Sequence, residues 1–77
     1  SSMRLYPNPV ADGVLNIAAE GVGTLSVYNN AGALVLSQPL DCSAGVATAN
    51  VASLQAGIYY ARFVTANGAS VQKFIVK

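Results

Sequence analysis

Apolar residues in this chain never sustain the i, i+3, i+4 spacing of an amphipathic helix. What recurs is a short alternation of apolar and polar residues between glycine-bearing turns, about every ten residues. Only 9% of residues are charged, and Val, Ala, Thr and Ser are abundant, which favours pleated strands over helices. The spacing predicts an all-β fold, a small antiparallel sandwich or barrel of seven short strands. At 77 residues such a chain buries about 60% of its unfolded surface. Residues 1–77 therefore read as one domain with a thin core, in which Ser1, Ser2 and Met3 read as the end of a linker or a cloning remnant.

The first strand spans Arg4 to Tyr6 and stops at Pro7-Asn8-Pro9, because two prolines remove backbone donors. It is expected to be short or to lie at a sheet edge. The second strand, Val14 to Ala18, points Leu15 and Ile17 to one face. The third, Thr24 to Tyr28, points Leu25 and Val27 inward and Thr24, Ser26 and Tyr28 outward, and Asn29-Asn30-Ala31-Gly32 turns the chain after it. The fourth, Ala33 to Gln38, carries the unbroken apolar run Leu34-Val35-Leu36 and is expected to be buried on both faces. A weaker fifth runs near Val46 to Val51. The sixth, Ile58 to Thr65, and the seventh, Ser70 to Val76, flank Asn67-Gly68, a strong hairpin signal.

With Asn67-Gly68 as a two-residue loop, Ala66 pairs with Ala69 and the ladder runs to Tyr59 opposite Val76. One face then collects Tyr59, Ala61, Phe63, Gln72, Phe74 and Val76, the composition of a core. The other collects Tyr60, Arg62, Val64, Val71, Lys73 and Ile75, with Arg62 and Lys73 directly opposite each other. Apolar side chains around two cations, on a face a sandwich leaves in solvent, read as a candidate docking surface. A partner with an acidic rim would suit it.

Composition excludes several functions. Arg4, Arg62, Lys73 and Lys77 stand against Asp12, Glu20 and Asp41, for a net charge of +1, too sparse a set of cations for a nucleic-acid stripe. No stretch approaches the ~20 apolar residues of a spanning helix, so direct membrane insertion is not expected. The chain has no histidine, so the commonest general base is missing. The single cysteine, Cys42, offers no thiolate pair for a metal and no partner for an internal disulfide, which leaves a free thiol or an intermolecular contact; in a stretch of turn composition it reads as an inert small residue. The three carboxylates fall in separate turns, the wrong arrangement for paired-carboxylate catalysis or a calcium loop. No enzyme activity, metal or cofactor is expected.

Three stretches together resemble a known family: Leu5-Tyr6-Pro7-Asn8-Pro9, Val27-Tyr28-Asn29-Asn30-Ala31-Gly32, and Leu54-x-x-Gly57-x-Tyr59 followed by Lys73-Phe74-Ile75-Val76-Lys77. In order, separation and total length they are similar to the type A C-terminal sorting domain of the type IX (Por) secretion system. The resemblance implies an immunoglobulin-like β-sandwich that directs a cargo protein through the periplasm and across the outer membrane, to the cell surface or into the medium. It implies as partners the type IX translocon, an outer-membrane shuttle and a cell-surface sortase complex. It also marks Gly57, Tyr59 and Lys73 to Lys77 as the sorting signal, and Tyr6 to Pro9 as the N-terminal motif. Leu54-x-x-Gly57-x-Tyr59 further resembles the tyrosine corner of immunoglobulin-like sandwiches. The terminal strand is then expected to serve both as core element and as address label. A homodimer through an edge strand is a further expected association. The alternative is an adhesion or carbohydrate-binding sandwich with Tyr28 and Tyr60 as its aromatic platform; a plain spacer domain is a third reading.

Overall fold

In the computed structural model, which describes residues 3–77, the chain forms seven strands and no helix. Ser1 and Ser2 of the linker reading lie outside the described residues. The strands are β1 (Arg4–Tyr6), β2 (Val14–Ala18), β3 (Val22–Asn29), β4 (Leu34–Asp41), β5 (Val46–Asn50), β6 (Gly57–Thr65) and β7 (Gly68–Val76). They make two antiparallel sheets, one ordered β1-β2-β5 and the other β4-β3-β6-β7. The chain changes sheet between β2 and β3, β4 and β5, and β5 and β6, the Greek-key connectivity of an immunoglobulin-like sandwich.

The core lies between the sheets and follows the period of two. Leu15 and Ile17 from β2 and Ala49 from β5 face Leu25 and Val27 from β3, Tyr59, Ala61 and Phe63 from β6, and Phe74 and Val76 from β7. Gln72, assigned to the same face, is exposed. Met3, grouped by the sequence with a linker, is a core side chain at 2% exposure.

Two expectations are corrected. The fourth strand is not buried on both faces: Leu34 and Val35 are exposed, while Leu36 is half-buried and Leu40 fully so. The cause is position. β4 is the edge of its sheet and pairs with β3 alone in it, and the pairing slips between Val27 and Tyr28, a bulge that turns the apolar run toward solvent.

The second correction concerns the terminal hairpin. Thr65 pairs with Gly68, and the ladder runs on through Tyr59 opposite Phe74 to Gly57 opposite Val76. The two connecting residues are therefore Ala66 and Asn67, one step earlier than the Asn67-Gly68 reading. That reading needs a positive φ at the asparagine, and among the described residues only glycines have one; Gly68 takes it, at 131°. Glycine thus follows the turn, the place a type I turn favours it, and the Asn67 N–H bonds the Thr65 hydroxyl at 3.1 Å. The partners move by two positions, an even number, so every side chain keeps its predicted face although the cross-strand pairs change.

Candidate functional site

The three sequence motifs, far apart in the chain, converge on the β6–β7 end of the larger sheet. Tyr59 lies between Asn29 of β3 and Phe74 of β7. Its ring stacks on Phe74, and its hydroxyl donates to the Gln55 carbonyl at 2.7 Å. That bond to the backbone four residues upstream is the tyrosine corner. Leu54 packs half-buried against the core, and its N–H bonds the Val51 carbonyl at 3.0 Å, closing the turn before β6. Gly57 opens β6. A Cβ there would meet only ordinary contacts, Tyr59 Cε2 at 3.9 Å and the Gln55 carbonyl at 4.0 Å, so space alone does not demand glycine.

The middle motif is a turn held by one side chain. Asn29 Oδ1 accepts the N–H groups of Ala31 and Ala33, both at 3.0 Å, and Gly32 supplies the positive φ of 86° that brings the chain back.

The N-terminal motif does more than begin the sandwich. After β1 the segment Tyr6 to Val10 crosses to the larger sheet and lies along the open edge of β7. Asn8 Oδ1 accepts the Ile75 N–H at 2.9 Å, and Asn8 Nδ2 donates to the Lys73 carbonyl at 3.4 Å. Val10 then bridges Val76 in parallel: its N–H bonds the Ile75 carbonyl at 2.7 Å, and its carbonyl accepts the Lys77 N–H at 2.8 Å. Val10 itself is buried in the core. The sequence reading treated Pro7-Asn8-Pro9 as a stop and missed this clasp. The available signal was a lone carboxamide between two donorless prolines, followed by an apolar residue.

The outer face of the larger sheet is open. Ile58, Tyr60, Val71 and Ile75 are exposed, as are Arg62 and Lys73, while Val64 is half-buried. Among the described residues, no strand or loop hides these side chains as a core would. The observed register corrects one detail: Arg62 sits opposite Val71, and Lys73 opposite Tyr60. The two cations are diagonal rather than facing, which spares them the repulsion of a direct pair. Across β3 the face continues through Ser26, opposite Arg62, and Tyr28, opposite Tyr60. Asp12 and Glu20 lie outside the strands, and Asp41 ends β4, opposite Val22.

Two groups titrate away from their ordinary values. The Ser43 hydroxyl, and then the Ser43 N–H bonding Asp41 Oδ1 at 2.9 Å, hold the Asp41 carboxyl below the usual range. Burial, and then the Asp41 charge, push the Cys42 thiol up. Cys42 is a free, buried thiol whose Sγ lies 3.7 Å from the Ile17 carbonyl.

No curated protein matches the chain. A family model described as a secretion system C-terminal sorting domain matches residues 4–77, so its match runs from β1 through the end of β7 and takes in all three motifs. The chain belongs to this family of C-terminal sorting domains, which mark proteins for export across the outer membrane, to the cell surface or into the medium, through the type IX secretion system.

Proposed function

We propose that the secretion machinery reads this domain through its terminal hairpin. In this reading Gly57, Tyr59 and Phe74 shape the strand, Val76 anchors its end, and Lys73, Ile75 and Lys77 present the signal outward. The observation that carries it is the alternation along β7: Phe74 and Val76 are buried while Lys73, Ile75 and Lys77 are exposed. One strand is thus at once core and display. The face formed by Tyr60, Arg62, Val64, Val71, Lys73 and Ile75 is the docking surface, and its occupant is an acidic-rimmed, partly apolar component of the translocon or of the outer-membrane shuttle. Exposed cations around an apolar centre favour such a partner. The cell-surface sortase complex acts on the exported protein afterwards. The domain performs no chemistry of its own.

A second copy is the other occupant to be tested. The Lys73 to Lys77 part of the β7 edge already holds Asn8 and Val10, so a homodimer through an edge strand would have to use the remainder of β7 or another edge, such as β4.

The test is a fusion of residues 1–77 to a periplasmic reporter in a host that has the machinery. Surface delivery by the intact domain is expected, with retention in the periplasm after deletion of Phe74 to Lys77. Because that deletion removes core, Lys73→Ala and Lys77→Ala are tested beside it; both side chains are exposed, so a drop in delivery without a loss of fold identifies the display residues. Full delivery by the deletion would sink the proposal. Light scattering on the isolated domain reports whether the open face instead joins two copies.

A further inference from the structure

The clasp on β7 assigns a role to Asn8. The outward edge of a terminal strand presents alternate N–H and C=O groups with no neighbour to take them. Four such groups follow one another here: the Lys73 carbonyl, the Ile75 N–H, the Ile75 carbonyl and the Lys77 N–H. The last two are taken by the backbone of Val10. The first two are taken by one side chain, Asn8. A parallel ladder continued past Val10 would use the backbone N–H and C=O of Asn8 for these two groups, and the Asn8 side chain makes both bonds in their place. A carboxamide carries an acceptor and a donor on one planar group, as a peptide does. Aspartate offers acceptors alone, and alanine offers nothing.

We infer that Asn8 is a positioning residue for the export signal: its amide stands in for a neighbouring strand and fixes the backbone on both sides of Phe74, so that Lys73, Ile75 and Lys77 are displayed in one register. Asn8 is itself exposed and adds nothing to the buried core, whereas Val10 and Phe74 do. Its effect is therefore local to the terminal strand. The consequence for export rests on the proposal that the machinery reads this strand.

The experiment compares the wild-type chain with Asn8→Ala and Asn8→Asp, by amide hydrogen exchange and by delivery of the reporter fusion. Asn8→Ala is expected to speed exchange of the Ile75 amide at least tenfold, to leave the Leu25 and Val27 amides of β3 unchanged, and to lower delivery several-fold. Asn8→Asp keeps the acceptor for the Ile75 N–H but turns a carboxylate oxygen to the Lys73 carbonyl, so it is expected to restore Ile75 protection and delivery only in part, and full restoration of delivery would show that the donor half of the amide is not needed. The inference is overturned if Ile75 protection does not change. It is equally overturned if the β3 amides lose protection by the same factor, which would make Asn8 a general stabiliser, or if Asn8→Ala frees Ile75 and is still delivered normally. A wild-type fusion that stays in the periplasm refutes the sorting proposal, and the export role of Asn8 with it, while the exchange data still decide whether Asn8 holds the strand.

Discussion

The rings of Tyr59 and Phe74 stack across the β6–β7 pair, their centroids 5.6 Å apart and their planes 25° apart. Tyr59 is also tied to Gln55 through its hydroxyl, so the stack fixes the terminal strand to the corner that opens β6. The two parts of Tyr59 can be separated. Tyr59→Phe keeps the ring and loses one hydrogen bond, and because Gln55 is exposed its carbonyl can turn to water. A loss of about 1 kcal/mol is expected. Phe74 is fully buried, and Phe74→Ala leaves a cavity costing about 3–5 kcal/mol, enough to unfold a domain this small. Urea denaturation of the two variants measures both. Equal losses would mean the corner, not the stack, holds the strand.

Glycine substitutions should divide by cause. A Cβ on Gly23 would stand 1.8 Å from the backbone carbonyl oxygen of Val64, closer than any side-chain adjustment can relieve, since the obstacle is the main chain of the neighbouring strand. Gly32 has nothing within 4 Å, but its φ of 86° is left-handed. Gly23→Ala is expected to cost more than about 2 kcal/mol and to disturb the β3–β6 pairing. Gly32→Ala should cost about 1 kcal/mol and leave the sheets intact. Thermal melts with amide spectra of β3 and β6 distinguish the two; a milder effect at Gly23 than at Gly32 would contradict the packing at that end of the sheet.

The parts of this molecule that were legible in its sequence are those set by local periodicity. Leu15, Ile17, Leu25 and Val27 alternate with polar neighbours, and all four are core; Tyr59 followed Leu54 and Gly57 at the spacing of a corner and forms one. The errors arose where position in the sheet decides. Leu34-Val35-Leu36 has the composition of a buried strand, but an edge strand with a bulge exposes it, and nothing within those three residues says which strand will be the edge. Asn67-Gly68 is a good turn signal displaced by one residue, because the backbone can use the glycine after the turn instead of inside it. The clasp between Asn8 and Ile75 joins residues 67 positions apart; the Pro7-Asn8-Pro9 pattern marks a carboxamide set apart from a ladder, but no local pattern names the strand it will hold.

Cys42 supplies a pH-dependent prediction. Its thiol is raised by burial and by Asp41, so the folded chain holds the neutral form more tightly than the unfolded chain does. That contribution is fully present below about pH 8.5, where an unfolded thiol ionises, and is lost as the pH rises toward the folded value. The urea midpoint of the wild-type domain should therefore fall more between pH 8 and pH 10 than that of Cys42→Ala, in which the thiol is gone. Iodoacetamide should label the native thiol slowly, at a rate set by opening of the fold. Parallel pH profiles for the two proteins, or rapid labelling of the native chain, would contradict the buried environment of Cys42.

The open face allows stability and export to be uncoupled. Val71 is 56% exposed and Val64 half-buried, so threonine at both keeps strand propensity while removing apolar surface from the centre of the patch. Stability should change by roughly 1 kcal/mol or less. Lys73 faces Tyr60 and is diagonal to Arg62, so Lys73→Ala relieves no direct repulsion and should not stabilise the fold measurably. Delivery of a fused reporter should nevertheless drop several-fold for Val64→Thr with Val71→Thr, because an acidic-rimmed partner loses the apolar centre it closes over. Arg62→Ala with Lys73→Ala should lower delivery too, since exposed cations act chiefly by steering encounter. Circular dichroism and urea midpoints establish that each variant is folded before delivery is scored. Normal delivery by both folded double variants, with no change in light scattering, would show that neither the secretion machinery nor a second copy docks on this face.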